Sequence, residues 1–223
     1  MRDKDFLIRK YFSPKNLEEA LKIQEILRRR VKIRALERKV EKIVGFDASF
    51  KEEIIRAGVC VINFPQAQVL EEKVLERKIS FPYIPGLFAF REGPIIIELF
   101  YSLRIKPDLI ILEAQGIAHP RALGLASQVG VVLNIASMGI SKNILYGFYK
   151  EPGKKRGDFS FIYHPQTKEK IGLVFRTKDK TKPLFISPGN LLNLRDCLRL
   201  IRRISGNYRL PDILRRVHRL SSF

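Results

Sequence analysis

The sequence predicts an α/β protein with a mixed central β-sheet flanked by α-helices. Three observations lead to this fold class. The apolar run in DLIILEAQG (108–116) is typical of a strand that is buried on both faces, as central parallel strands are. Strand-like segments come first as a meander and then alternate with helical segments. The helical segments carry apolar residues at spacings of three and four, with charged residues between them.

The N-terminal half is predicted to hold a long helix followed by three strands. Residues 16–42 have helical spacing, and Asn16 is the expected N-cap. Three segments rich in Val and Ile follow, with a turn at Pro65-Gln66 between the second and the third. These strands are KIVGFDASF (42–50), GVCVINFP (58–65) and AQVLEEKVLERKIS (67–80).

The C-terminal half is predicted to alternate helices and strands. One helix is expected to begin near Phe88 or Gly93 and to end at Leu103. Pro120 suits the first turn of another helix, because its fixed φ is helical and its missing N–H is not needed there. The remaining elements are expected to be that helix (120–133), a strand (134–141), a basic loop (149–158), a hairpin around Pro165, a strand (183–190) and two helices (191–204 and 211–220). No repeat or low-complexity linker interrupts the pattern, so residues 1–223 are expected to form a single domain.

Charge is the most informative part of the composition. The 42 Lys and Arg residues outnumber the 23 Asp and Glu residues, which leaves a net charge of +19 and a pI near 10.2. Such an excess attracts polyanions, and nucleic acid is the leading candidate partner because phosphate contacts release counterions. An anionic membrane surface is the alternative, and it would be bound through the basic C-terminal segment RRVHRLSSF.

The distribution of apolar residues predicts a cytoplasmic protein without a membrane span. No apolar run reaches the ~18 residues that a span requires. The N-terminal MRDKDFLIRK lacks the apolar core of a signal peptide, so we expect a cytoplasmic protein. Cys60 and Cys197 lie among apolar residues and are expected to be buried thiols, not a disulfide or a zinc site.

Three acidic residues stand where α/β sheets gather ligands. Asp47 lies in the first strand, Glu113 ends the central strand, and Glu92 lies near the start of a predicted helix. Carboxylates brought together at strand ends repel one another unless a cation neutralises them. Mg²⁺ prefers oxygen ligands and can polarise a phosphodiester. The three acids are therefore candidate metal ligands, with solvated surface acids as the alternative.

The same residues lie within longer motifs that resemble the endonuclease V family, whose members are deoxyinosine-directed nucleases with an RNase H-like fold. PYIPGLFAFREGP (82–94) and QGIAHPRALGLAS (115–127) are the most specific blocks, and KNILYG (142–147) and FISPGN (185–190) follow in the same order. The resemblance implies a Mg²⁺-dependent endonuclease, with Mn²⁺ as an alternative ion. It would nick DNA at the second phosphodiester 3′ to an inosine, with RNA as an alternative substrate, and would act as a monomer in nucleic-acid repair.

The resemblance also assigns roles to individual residues. Enzymes that read a base take it out of the stack, and an apolar wedge fills the gap that the base leaves. A lysine ammonium can stabilise charge that builds on a phosphate. By this resemblance the metal carboxylates are Asp47, Glu92 and Glu113, the catalytic lysine is Lys142, the wedge is Tyr83, Ile84 and Pro85, and the base pocket is formed by Gly86, Phe88, Ala114, Gly116 and His119.

The chain departs from the usual family pattern beside this site. Glu113-Ala114 stands where the family usually has Asp-Gly, and Phe88 stands where a smaller aliphatic residue is common. Asn190 follows Ser-Pro-Gly where the family often has His, and an amide can orient a water although it cannot act as an acid or base. We expect activity to survive, because all three metal positions are acidic and Lys142 is present. The alternatives are a weak or inactive homologue that only binds nucleic acid, and a ribonuclease directed at inosine in RNA.

Overall fold

A nine-stranded mixed sheet with helices on both faces forms the protein in a computed structural model that describes residues 3–223. The predicted fold class is therefore confirmed. Asn16 caps its helix as expected, since its side-chain oxygen accepts from the Glu19 N–H at 2.9 Å. In chain order the elements are α1 (Lys4–Phe12), α2 (Leu17–Arg28), β1 (Lys42–Lys51), β2 (Ile54–Asn63), β3 (Val69–Lys78), α3 (Phe88–Ser102), β4 (Leu109–Leu112), α4 (Leu125–Leu133), β5 (Ala136–Ser141), β6 (Phe148–Tyr149), β7 (Phe159–Tyr163), β8 (Lys170–Phe175), β9 (Leu184–Asn190), α5 (Leu194–Ile204) and α6 (Asp212–Ser221).

The sheet runs in the order β3-β2-β1-β4-β5-β9-β8-β7-β6, and it separates two hydrophobic cores. Strands β1, β4 and β5 are parallel, and the outer pairs are antiparallel. Helices α1 to α4 cover one face, while α5 and α6 cover the other. Alternate residues of β1 therefore enter different cores, with Val44 in the first and Ile43 in the second.

The long helix predicted at 16–42 is wrong beyond Arg28, where α2 ends. Residues 29–41 instead run across the molecule as an irregular segment. Its backbone is bonded by distant partners: the Lys32 N–H donates to the Asn190 side chain at 3.0 Å, and the Leu36 N–H donates to Asp196 at 2.8 Å. These two long-range bonds satisfy N–H groups that a continued helix would have used, and the apolar spacing along the segment did not predict them.

The helix predicted at 120–133 begins later, at Leu125, and Pro120 lies in the turn before it. Residues 113–124 form a compact loop in which the Gly124 N–H donates to the Gly116 carbonyl at 2.9 Å. A Cβ on Gly116 would lie 2.1 Å from the Pro188 carbonyl oxygen, so the backbone of this loop touches the backbone of β9. The small residues after Glu113 therefore serve close packing of the loop. The short helix α1 is a further element that the sequence pattern did not predict.

Both cysteines are buried free thiols, as expected. Burial raises the pKa of Cys60 to about 12 and also raises the pKa of Cys197, so neither thiol is poised to react. Among residues 3–223, no helix combines the length and apolar character that crossing a bilayer would need.

Candidate active site

Two of the predicted carboxylates are neighbours because of the register between two parallel strands. Strand β1 pairs with β4 so that Phe46 lies opposite Leu112. The next residue along β1 is Asp47, and the residue that follows β4 is Glu113. Adjacent strands are about 4.8 Å apart, so the two carboxyl groups share one face at the carboxyl end of the pair. Their side chains are only 12% and 15% exposed.

Helix α6 adds His218 and Ser221 to this pair. The His218 Nδ1 lies 2.8 Å from Asp47 Oδ2, and the Ser221 hydroxyl donates to the same oxygen at 3.2 Å. Both contacts use Oδ2, which leaves Oδ1 of Asp47 available to another ligand. Candidate ligand atoms of Asp47, Glu113 and His218 all lie within 4.8 Å of one another.

Helix α6 reaches this position because two glycines on the sheet lack side chains. A Cβ on Gly58 would lie 2.6 Å from the Leu220 Cβ and 2.9 Å from the Val217 carbonyl oxygen. A Cβ on Gly45 would lie 2.8 Å from the Ile213 side chain. Gly58 stands directly opposite Asp47 in the β1–β2 pair, so the closest approach of the helix coincides with the carboxylate that His218 contacts.

Glu113 has one paired oxygen and one unpaired oxygen. Its Oε1 lies 2.5 Å from the Lys142 ammonium. Its Oε2 is buried and has no hydrogen-bond partner in the structure. A buried carboxylate oxygen without a partner is costly, and a divalent cation among oxygen and imidazole ligands would satisfy it. The donors around this oxygen therefore fit a metal ion.

Glu92 approaches the cluster from α3, on the opposite side of the sheet from α6. Its side chain is buried, and burial raises its pKa well above the usual carboxyl range. The nearby charges of Asp47 and Glu113 raise the pKa further. Among the described residues, the ligand atoms that lie within 4.8 Å of one another belong to Asp47, Glu113 and His218. Glu92 is not part of this group of three and lies beside it.

A cavity of about 460 Å³ opens beside the carboxylate cluster. Glu113 forms part of its wall, so the cavity and the cluster share a side chain. Four of the five residues predicted for the base pocket, Gly86, Phe88, Ala114 and His119, also line it, together with Tyr83 and Pro85 of the predicted wedge. Tyr83 is 66% exposed at this surface, whereas Ile84 packs against the first core.

The loop that carries the predicted wedge is held at a single carbonyl oxygen. Gly86 has a φ of 77°, a conformation that favours glycine. Its carbonyl oxygen accepts from Gln24 Nε2 at 3.0 Å and from Arg121 Nη2 at 2.5 Å, and His119 also bonds to it. His119 is buried, and burial followed by the charge of Arg121 lowers its pKa to about 4. A neutral His119 therefore braces the loop from inside.

Two of the predicted site residues make their contacts away from the cavity and the carboxylates. Gly116 does not line the cavity, because its N–H donates to the Ser187 hydroxyl at 2.8 Å and its Cα packs on β9. Asn190 was predicted to orient a water at the metal. It is buried, and both ends of its amide bond backbone groups: Oδ1 accepts from Lys32, and Nδ2 donates to Gly130 at 3.1 Å. This amide tethers the irregular segment to α4, and each end of it is engaged by a backbone group.

The prediction from sequence missed His218 and Ser221. Their spacing of three residues on a predicted helix was the available signal, since it puts both side chains on one helical face. The same segment was considered as a membrane-surface helix. The structure instead buries Ile213, Leu214 and Val217 of α6 against the sheet.

Clustered carboxylates on neighbouring strands of a mixed sheet, beside a lysine and in a chain of net charge +19, are typical of a nuclease. The family model described as Endonuclease V matches residues 25–219. The endonuclease V of Dictyoglomus thermophilum is 43% identical over 209 residues, which cover 94% of this chain and 91% of that protein. The endonuclease V of Dictyoglomus turgidum is 41% identical over 210 residues, with the same coverage of 94% and 91%. The crystal structure of the Streptomyces avermitilis endonuclease V superimposes with a TM-score of 0.88 at 30% identity, covering 94% of this chain and 92% of that one.

The chain therefore belongs to the endonuclease V family, whose members are nucleases that hydrolyse phosphodiester bonds. Its partner is nucleic acid.

Proposed function

We propose that this nuclease is a divalent-metal-dependent endonuclease that nicks DNA at the second phosphodiester 3′ to an inosine. One observation carries the proposal. A cavity of about 460 Å³ shares Glu113 with the cluster of candidate metal ligands. A nucleotide whose base enters the cavity therefore has the backbone of its own nucleic-acid strand beside that cluster. A nuclease that cuts near one particular base needs this adjacency of a base pocket and a phosphate site.

The cavity suits a flipped base. Phe88 and Leu123 supply apolar walls, and Tyr83 stands exposed at the same surface, where an aromatic ring can fill the gap in the stack. Hypoxanthine pairs weakly, so it costs less to extrude than a normal base. The Ciona intestinalis endonuclease V, whose structure shares this fold at 22% identity and a TM-score of 0.78, is solved in complex with DNA that contains an inosine. That likeness concerns the fold, and inosine is our proposal for this chain.

Asp47 and Glu113 would hold the ion, with His218 as third ligand or as proton carrier beside it and Glu92 as a neighbouring acid. When bound, Mg²⁺ or Mn²⁺ supplies Lewis-acid polarisation of the phosphate and lowers the pKa of a coordinated water. The protein's own groups do the rest. Lys142 stabilises the negative charge that grows on the phosphate, and Asp47 fixes the His218 ring through Nδ1, which leaves Nε2 to exchange a proton.

A nicking assay tests this function. Duplexes that differ only in one inosine are incubated with Mg²⁺ or Mn²⁺, and the products are sized against a ladder. We expect one nick, at the second phosphodiester on the 3′ side, in the inosine duplex alone. Binding without cleavage under either metal would identify a nucleic-acid-binding homologue instead. Matched RNA oligonucleotides complete the test, and faster cleavage of inosine in RNA would reassign the substrate.

A further inference from the structure

A second cavity, of about 780 Å³, lies next to the proposed base cavity. The two cavities share Asn143 and Ile144, which form the ridge between them. Lys142, whose ammonium contacts Glu113 in the carboxylate cluster, lines the second cavity. The scissile phosphate would therefore lie where the two cavities meet. We call the second cavity the basic cleft; it is lined by residues 142–144, 151–152 and 180–183 together with Tyr149, Lys154, Arg176 and Phe185.

The basic cleft carries three lysines that no ion pair among the described residues neutralises. Lys154, Lys180 and Lys182 all line it and are exposed. Within residues 3–223, none of these three lysines forms an ion pair. Glu151 is the one carboxylate in the lining, and its oxygen already pairs with the Arg176 guanidinium at 2.7 Å. The cleft thus presents three ammonium groups without ion-pair partners, and such groups bind phosphates of a nucleic-acid backbone.

A buried arginine fixes one wall of the basic cleft. Arg176 is only 5% exposed, and its Nε and Nη2 donate to the carbonyl oxygens of Gly153 at 2.5 Å and Pro152 at 3.2 Å. Its Nη1 donates to the Thr181 carbonyl, and this joins the two loops that carry the lysines. Because the guanidinium donates to these carbonyl oxygens, Arg176 has a structural role in the wall, and the exposed lysines remain available to bind phosphates.

A second arginine, Arg209, holds the 182–183 segment and links it to Lys142. The Arg209 guanidinium donates to the carbonyl oxygens of Lys142 and Pro183, each at 2.9 Å, and to that of Lys182 at 2.8 Å. The spacing between Lys142 and Lys182 is therefore set by one planar group. At the floor, Tyr149 and Phe185 meet edge to face with their ring centroids 5.2 Å apart, which offers an apolar surface for a sugar or a base.

From these contacts we infer that the basic cleft binds the segment of the cut strand that continues 3′ of the scissile phosphate. The inference rests on the proposed function, which seats the inosine in the first cavity and the cut on its 3′ side. The strand leaves the first cavity, passes Lys142 and enters the cleft, where Lys154, Lys180 and Lys182 contact successive phosphates. The cleft thereby sets how much 3′ flank the enzyme needs.

The test combines a triple variant with substrates of different flank length. Lys154→Gln, Lys180→Gln and Lys182→Gln are made together, and Lys142 is left intact. The matched control changes Lys4, Lys78 and Lys106 to Gln, which are exposed lysines outside both cavities. Inosine oligonucleotides carry a long or a short flank on either the 3′ or the 5′ side, and their dissociation constants are measured over a range of salt concentrations.

We expect a long 3′ flank to tighten binding by the wild type and by the control. The triple variant should lose most of that gain, on the order of 10-fold, and its salt slope should fall by about 2, since each single-strand phosphate contact contributes ~0.7. The 5′ flank should have the same effect in all three proteins. An intact 3′ gain in the triple variant, a loss confined to the 5′ flank, or equal losses in variant and control would each overturn the inference. Failure of the wild type to nick inosine substrates selectively would instead count against the proposed function.

Discussion

Replacing Gly58 with alanine is expected to disable the enzyme without touching any of its proposed catalytic groups. The added Cβ would lie 2.6 Å from the Leu220 Cβ, 2.9 Å from the Val217 carbonyl oxygen and 3.1 Å from the Ser221 nitrogen. These atoms are backbone or directly attached to it, so no rotamer change relieves the clash. Ordinary contacts begin near 3.5 Å, so α6 must move away from β2 by about 1 Å.

That displacement acts directly on the site. The 2.8 Å contact between His218 Nδ1 and Asp47 Oδ2 would lengthen beyond hydrogen-bond range. An error of about 1 Å at a catalytic group costs on the order of 100-fold in rate. Overpacking also costs about 1–3 kcal/mol of stability. Single-turnover nicking measures the first effect, and urea unfolding followed by circular dichroism measures the second.

Gly45→Ala is the matched control, because it adds the same methyl group under the same helix. Its Cβ would meet the Ile213 side chain at 2.8 Å, but the nearest backbone atom is 3.7 Å away. The clash falls on the buried Ile213 side chain and not on the helix backbone, so we expect it to cost stability through local repacking. Ile213 also lies five residues from His218, about 7.5 Å along the helix. We therefore expect nicking close to that of the wild type. Equal loss of nicking activity in both variants, or a fully active Gly58→Ala variant, would refute the argument that Gly58 allows α6 to pack close enough for His218 to contact Asp47.

Three further predictions concern the buried ionisable groups. Asp47→Ala should abolish nicking and spare most binding, since Lys and Arg contacts supply the affinity; parallel loss in a gel-shift assay would contradict this. The pKa of His119 falls from 6.5 to about 4 on folding, so the unfolded chain binds the extra proton. Stability should therefore fall as the pH drops from about 6.5 to about 4, by about 3 kcal/mol, and His119→Asn should remove that part of the urea-unfolding profile. Glu92 shows the opposite sign: its raised pKa means that stability is lost as the pH rises above the usual carboxyl value. Without divalent metal, Glu92→Gln should melt above the wild type at neutral pH, and an unchanged pH profile would argue against a buried acid there.

The candidate site could be predicted from sequence to the extent that its residues lie in local patterns. Asp47 follows the apolar first half of β1 and Glu113 follows β4, and the motif around residues 82–94 marked the loop that lines the cavity. The bonds of Asn190 could not be predicted from its motif, because its two backbone partners, Lys32 and Gly130, lie in segments far away in the chain. The brace on Gly86 likewise joins Gln24, Arg121 and His119, which no single motif contains.

The sequence by itself determined the alternation of strands and helices, the basic charge and the positions of the acids, because periodicity and composition act within a few turns of chain. The tertiary structure alone decided what these elements meet. It ended α2 at Arg28 by offering the following N–H groups distant acceptors. It also brought His218 to Asp47 across 171 residues through the glycines under α6. Packing of this kind depends on the shapes of two surfaces at once. The local sequence of α6, or of the strands beneath it, therefore does not indicate which segment it packs against.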